Sequence, residues 1–432
     1  MARTPPLDPR SIVLDLLDSV LAQKRLLDES LDSEPRLSKL ADRDRAFVRL
    51  LVATILRRLG QIDQVIGRCL ERDLPVKAIR VRNMLRLGAA QLLFLDTPPH
   101  AAISTTVDLA KNSQLAGFAK LINAVLRRLD REGRAWVAEQ DAAPLNTPSW
   151  LWQSWRATYG EDLARHIAAA HQVEAPVDIT VAGDPTLWAE RLEAEILPTG
   201  TLRRHGGGDV TQLPGFAEGA WWVQDLAASL PAKLMGSLKG KQVADLCAAP
   251  GGKALQLAVA GAEVTAVDRS AKRMLRFRRN LERLKLAATI VETDVAGWIP
   301  PALFDAVLLD APCTATGTLR RHPDGVHLKG PGDVAYLADQ QHALLKAAVS
   351  MVKPGGTLVY CVCSLEPQEG EAQITRLLDS GASICRDPIL ATEVPGLEMI
   401  LTPAGEVRTL PHYLAEKGGM DAFFIARLKR LE

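Results

Sequence analysis

Two cysteines sit in short motifs that read as strand ends: Cys313 in Asp310-Ala-Pro-Cys-Thr-Ala-Thr-Gly317 and Cys363 in Tyr360-Cys-Val-Cys-Ser-Leu-Glu-Pro367. A thiolate is a covalent nucleophile and also a leaving group, so it can add to an electron-poor carbon and depart again. Free cysteine is equally one of the most buried residue types, and either thiol alone reads as a small core residue. Their setting changes that balance, because both follow apolar runs and a ligand-type loop lies upstream of them.

That loop is Asp245-Leu-Cys-Ala-Ala-Pro-Gly-Gly-Lys253, a small-residue turn between a strand-like run and a helix, where backbone amides can approach a ligand closely. It is not a phosphate loop of the Walker type: Cys247 occupies the first glycine position and Ala254 the Ser/Thr position. Asp268 ends the next apolar run, where an acid can accept hydrogen bonds from both hydroxyls of a ribose. Asp294 follows the third run, placed for an adenine amino group, and Asp310 closes the fourth. Any one of these aspartates could simply cap a loop; four strand-end features in register point to an adenosine-containing cofactor. The Gly-x-Gly-x-x-Gly fingerprint of nicotinamide enzymes is missing, which favours S-adenosylmethionine.

Carbon-5 of cytosine is a poor nucleophile. A thiolate adding at carbon-6 converts it into an enamine carbon able to attack a sulfonium methyl. Methyltransferases acting on exocyclic amines carry Asn/Asp-Pro-Pro-aromatic at the fourth strand end, whereas this slot reads Asp-Ala-Pro-Cys.

Elements that would hold these residues can be read from hydrophobic spacing. Strand-like runs at 243–246, 263–267, 288–291, 306–309 and 357–363 alternate with helical stretches, which implies a doubly wound, mostly parallel sheet for residues 237–432. Upstream, 148–236 reads as a small α+β module with an aromatic helix (Trp150, Trp152, Trp155, Tyr159), a β-like run at Val177–Val181 and a glycine tract at 206–208. Residues 130–147 are polar and read as a linker. Residues 1–129 are all-α, with Gly60, Gly88 and Pro98-Pro99 as candidate helix ends. Cations gather there at Arg57, Arg58, Lys77, Arg80, Arg82, Arg86, Arg127 and Arg128; they could grip phosphates, and a solvated helix surface would carry the same residues.

At 432 residues, 47% hydrophobic and 24% charged, the chain suits several globular domains. A net charge of +1 identifies no partner. The opening residues lack a leader-like apolar core and no stretch has bilayer length, so a cytoplasmic protein without membrane contact is expected. Six cysteines form no disulfide framework and eight histidines form no zinc spacing, so no metal is expected.

The N-terminal segment resembles the NusB-like RNA-binding domain in Asp42-Arg-Asp-Arg-Ala-Phe, Leu85-Arg-Leu-Gly-Ala-Ala-Gln-Leu-Leu-Phe-Leu-Asp and Phe118-Ala-Lys-Leu-Ile-Asn-Ala-Val-Leu-Arg-Arg. Almost the whole chain resembles the RsmB-type (Sun/Fmu) family of 16S rRNA 5-methylcytosine methyltransferases. The loop at 245–253, Asp-Ala-Pro-Cys-Thr-Ala-Thr-Gly, Arg-Arg-His-Pro-Asp, Val-Cys-Ser and Gly-Met-Asp-Ala-Phe-Phe-Ile-Ala-Arg-Leu carry that likeness.

The resemblance implies a multidomain protein with a Rossmann-like class I methyltransferase domain, S-adenosylmethionine as donor and RNA as partner. The RNA would be small-subunit rRNA or a pre-ribosomal particle. Cys363 would be the nucleophile, Cys313 the thiol assisting release, Asp310 the partner of ring nitrogen-3, and Lys253 a support for their geometry. Cys247, Ala248, Ala249, Pro250, Gly251, Gly252, Lys253, Asp268, Arg273, Asp294 and Asp310 would form the cofactor pocket. The polar loop between Thr314 and Asp333 is a candidate RNA lid holding Arg320, Arg321 and His322, with a solvated loop as the plain alternative. Val362 departs from the usual threonine, and Cys361 on the same strand face is expected to complicate thiol labelling. A monomer is expected. Two rivals stay open: a non-catalytic RNA-binding or assembly factor on this scaffold, and a methyltransferase for an amine or small molecule.

Overall fold

The computed structural model describes residues 7–432; residues 1–6, part of the opening stretch read against a leader, lie outside the described residues. The chain forms two compact units. One contains residues up to Val173 together with Arg321–Gly330, and the other contains Glu174–Arg320 and Pro331–Glu432. Among the described residues no helix is long and apolar enough to cross a membrane.

The first unit is helical. Its opening helix, Pro9–Leu21, starts where Asp8 accepts the Arg10 amide at 3.0 Å, and it buries Ile12, Val13, Leu16, Leu17 and Val20. Helices Asp42–Arg57, Ile79–Leu93 and Ala119–Arg128 add their apolar faces to the same core. Pro98 and Pro99 do begin a helix, and Gly60 lies at the start of Leu59–Cys69. Gly88, by contrast, is inside Ile79–Leu93: a Cβ there would lie 2.5 Å from Leu126 Cδ1, so the glycine serves close helix packing instead of ending the helix.

Residues 130–147 are mostly helical, in Leu129–Gly133, Arg134–Ala138 and Ala142–Asn146. Their polarity is used internally: Asn146 Oδ1 accepts the Gln61 amide at 3.0 Å, and Gln140 Nε2 donates to Gln61 O at 3.0 Å. The aromatic run Ser149–His171, interrupted at Gly160 (φ 81°), also belongs to this unit, with Trp155 buried against His171. The expected 148–236 module is therefore divided after Val173.

In the second unit β1 (Val177–Val181), β2 (Glu195–Ile196), β3 (Leu202–Arg204) and β4 (Trp221–Val223) form a small antiparallel sheet in the order β2-β3-β1-β4. The main sheet holds β5 (Gln242–Leu246), β6 (Glu263–Asp268), β7 (Thr289–Glu292), β8 (Phe304–Asp310), β9 (Val352–Val362), β10 (Ile384–Arg386), β11 (Val407–Arg408) and β12 (Phe424–Arg430). Its order is β10-β12-β9-β8-β5-β6-β7, with β11 beside β12; β7 through β9 pair in parallel, and β10, β11 and β12 enter antiparallel. This is a Rossmann-like, mostly parallel sheet with an antiparallel edge. From β5 the chain steps outward one way through β6 and β7, then returns to β8 and β9 on the other side. The β5/β8 junction is thus the switch point, where such sheets bind ligands.

The close approach at Gly60 yields a stability prediction. An added Cβ would stand 1.7 Å from Leu145 O, a backbone atom that cannot rotate away. Gly60→Ala should therefore lower unfolding free energy by about 1–3 kcal/mol, read from urea unfolding; an unchanged midpoint would show that the two segments separate freely.

Candidate active site

At the end of β5 the chain turns through Cys247 (φ 61°) and Gly251 (φ 106°) into the helix Gly252–Val259. A Cβ on Gly251 would lie 2.0 Å from Phe277 Cδ2, which excludes larger residues there. The Ala249 amide donates to Asp268 Oδ2 at 3.0 Å and the Ser270 amide to Asp268 Oδ1 at 2.8 Å. Asp268 thus locks the loop against the end of β6, while each of its oxygens retains a further lone pair for a ligand.

Beside the loop opens a cavity of about 200 Å³, lined by Cys247, Asp268, Arg273, Asp294, Pro312 and Leu344 among others. The donor set fits an adenosyl group: acids stand at two successive strand ends, and Pro312 and Leu344 provide apolar walls. Arg273 donates to Ala249 O and lies 3.7 Å from Asp268, holding the loop as well as lining the cavity. Asp294 also caps its own turn, accepting the Ala296 amide at 3.1 Å. Ala248, Ala249, Pro250, Gly251 and Gly252 are not in the lining and contribute the turn itself.

Lys253 and Asp310 belong to an adjoining cluster. Lys253 Nζ donates to Asp310 Oδ2 at 2.7 Å and sits 5.2 Å from the centre of the Phe423 ring. The Cys361 thiol lies 3.4 Å from Asp310 Oδ1. Just past the ends of β8 and β9, the sulfurs of Cys313 and Cys363 are 3.5 Å apart, and both residues are half-buried. The two thiols singled out in the sequence therefore do meet, beside the Lys253–Asp310 pair.

Three expectations change. Cys361 is fully buried, and burial followed by the Asp310 charge pushes its thiol well above the usual range, so it is shielded from labelling reagents. Arg320 is not an exposed lid residue but 2% exposed, donating to Asp421 Oδ1 at 2.8 Å, Gly418 O at 2.6 Å and Asp225 Oδ2 at 3.0 Å. The second half of the expected lid, Arg321–Gly330, packs within the helical unit: Asp324 accepts the Leu27 amide at 3.0 Å, His327 Nε2 lies 3.0 Å from Leu56 O, and His322 pairs with Asp28 at 3.5 Å. Several basic residues are likewise committed internally; Arg86 binds both oxygens of Asp63, and Arg80 pairs with Asp15 and Asp18. Sequence reading gave no individual role to Phe423, which lies beside Lys253, or to Gln341, Ser364 and Glu369, which are buried beside the thiol loops where no local spacing announces them.

Asp245, at the base of the loop, is wholly buried, and neither carboxylate oxygen meets a hydrogen-bond partner among the described residues. Burial, then the Asp310 charge, raises its pKa to about 8, and the Lys253 charge offsets only part of this. An unfolded aspartate titrates near ~3.9, so between about pH 4 and 8 the folded state holds the extra proton and stability falls as pH rises. Asp245→Asn, which cannot titrate, should flatten that decline, as measured by urea unfolding at pH 5 and 8; parallel declines would assign the slope to other groups. For Arg320→Ala, loss of a buried cation facing two aspartates should cost about 3–5 kcal/mol of stability. RNA affinity per folded molecule should stay unchanged, and a selective loss of affinity would restore the lid role.

Residues 233–429 match the family model for 16S rRNA methyltransferase RsmB/F, and residues 7–131 match that for the NusB family. The chain is 34% identical over 446 aligned positions to the probable ribosomal RNA small subunit methyltransferase B of Synechocystis sp., covering 98% of this chain and 99% of that one. It is also 34% identical over 437 positions to ribosomal RNA small subunit methyltransferase B of Salmonella arizonae, covering 97% and 98%. Among solved structures, PH0851 superposes with a TM-score of 0.76 at 22% identity, over 99% of this chain and 100% of that chain. A methyltransferase homologue from Pyrococcus horikoshii gives 0.54 at 26% identity, over 65% and 94%. With kinship running through both the helical unit and the strand-end motifs, the chain belongs to the RsmB/F family of S-adenosylmethionine-dependent ribosomal RNA methyltransferases.

Proposed function

We propose that the chain methylates carbon-5 of a cytosine in small-subunit rRNA through a covalent adduct on Cys363. The observation that carries this reading is the pair of thiols 3.5 Å apart at the ends of neighbouring parallel strands, next to the Lys253–Asp310 ion pair. A transfer to an exocyclic amine has no use for two such thiols.

In this reading the Cys363 sulfur forms a bond to carbon-6, and the displaced π electrons make carbon-5 nucleophilic. Bound S-adenosylmethionine supplies the methyl group. Asp310 interacts with ring nitrogen-3 and favours its protonation as the adduct forms. Lys253, held at 2.7 Å, fixes the orientation of that carboxylate. Water then takes the carbon-5 proton, the electron pair of that C–H bond re-forms the double bond between carbon-5 and carbon-6, the carbon-6 bond to sulfur breaks, and Cys363 leaves as thiolate. Cys313 serves this second half of the reaction. The hydrogen bond with Cys363, then burial, raises the Cys313 thiol well above the usual range, so it is held protonated and able to donate. Since carbon-6 is hidden inside a duplex, the target cytosine must be unpaired or flipped out.

The test uses wild type, Cys363→Ser and Cys313→Ala with methyl-labelled S-adenosylmethionine and unmodified small-subunit rRNA, naked and assembled with its proteins. Digestion should show label in 5-methylcytidine with wild type and none with Cys363→Ser. Cys313→Ala should accumulate a protein–RNA adduct visible on denaturing gels. Label in another nucleoside overturns the carbon-5 reading, and no label on either RNA would favour the binding-factor alternative.

A further inference from the structure

Glu369 is fully buried, six positions beyond Cys363, and its carboxylate lies between the loops that carry the two thiols. Oε1 accepts the Thr314 amide at 2.9 Å and Gln341 Nε2 at 3.0 Å. Oε2 accepts the Ser364 hydroxyl at 2.5 Å and also the Thr314 hydroxyl. Thr314 immediately follows Cys313, and Ser364 immediately follows Cys363. Gln341 donates as well to Pro312 O at 2.9 Å, so Cys313 is gripped on both flanks through one carboxylate and one amide. The backbone of Glu369 is anchored in turn: its carbonyl accepts the Tyr360 hydroxyl at 2.6 Å, from within β9.

We propose that Glu369 is a positioning residue that ties the Cys313 loop to the Cys363 loop and sets the distance between the two sulfurs. It touches no reacting atom; it acts through Thr314 and Ser364. A buried carboxylate with four donors is costly to dismantle, because every donor loses its acceptor together. Thr316 adds a second tie between the loops by accepting the Leu365 amide at 2.9 Å. The negative charge also contributes, after the Cys363 hydrogen bond and burial, to holding Cys313 protonated. The catalytic consequence rests on the reading of Cys363 as nucleophile, whereas the geometric claim does not.

The two are separable by experiment with the full chain. Diamide, which takes up the two electrons and two protons released, should close a Cys313–Cys363 disulfide rapidly in wild type, mapped by peptide mass spectrometry. Glu369→Gln keeps size and shape but turns one acceptor into a donor facing two hydroxyls. It should slow closure on the order of tenfold or more, with S-adenosylmethionine affinity within about twofold of wild type. With RNA carrying 5-fluorocytosine, which cannot lose a carbon-5 proton, covalent adduct formation should slow in parallel and KM should move little. Should Glu369→Gln fail to fold, Ser364→Ala removes a single donor and should slow closure less, in the same direction. Wild-type rates of closure in a folded variant would overturn the proposal. Rapid closure in wild type without any adduct on RNA would leave the positioning role standing and sink the covalent reading instead.

Discussion

Asp310 stands opposite Cys361 in the parallel pairing of β8 with β9, and Leu309 stands opposite Leu246 in the pairing of β8 with β5. These two registers bring three strand ends to one level. Side chains alternate along a strand, so a slip of one residue would turn Asp310 away from Lys253 and carry the thiol loops out of reach. The pairing continues past the strands: the Ala311 amide donates to Cys361 O at 3.0 Å, and the Gly317 amide to Cys363 O at 3.0 Å. Gly317 is required there, since a Cβ would fall 2.2 Å from Ala422 O. The site is thus an extension of sheet hydrogen bonding into its loops, which is why reactive groups on loops are held with strand-like rigidity.

Around this frame the charges are unbalanced. Lys253 is the buried ammonium among Asp245, Asp268 and Asp310; burial works against its charge, and Asp310, with Cys361 and Asp245, more than offsets that, raising it above the ordinary lysine range. The same carboxylates, after burial, push the Cys247 and Cys361 thiols up. Cys361 is thereby a small buried packing residue and Cys247 part of the cavity wall, whereas the sulfurs of Cys313 and Cys363 face each other at 3.5 Å. An ion pair such as Lys253–Asp310 contributes little net stability, because desolvation consumes most of the attraction; its value lies in fixing one orientation for a carboxylate that faces the reaction centre.

Arginines elsewhere do comparable structural work. Arg203 and Asp178 are both fully buried and joined by two bonds of 2.7 Å, Arg320 joins Asp225 to Asp421, and Arg408 reaches Glu371 at 2.6 Å and Ser364 O at 2.5 Å. Such pairs hold the small sheet and the C-terminal segment in register with the main sheet. A near-neutral total charge therefore says little about RNA binding, because many cations are already matched within the fold.

The order of strands and helices, the loop from Cys247 to Lys253, the acids Asp268, Asp294 and Asp310 and the two thiols were determined by the sequence itself. Each depends on local chemistry: hydrophobic period, turn residues requiring positive φ, and acids one position beyond an apolar run. Val177–Val181 was legible as a strand for the same reason. Tertiary structure alone decided that Arg320 is buried, that Gly88 packs inside a helix, that residues 130–147 fold onto Gln61, and that the helical unit extends to Val173 and takes in 321–330. It alone placed Glu369 between the thiol loops. Those outcomes turn on partners scores of residues away or on burial around loops, and a charged or polar side chain carries no mark in its own neighbourhood of whether its partner will be water or protein.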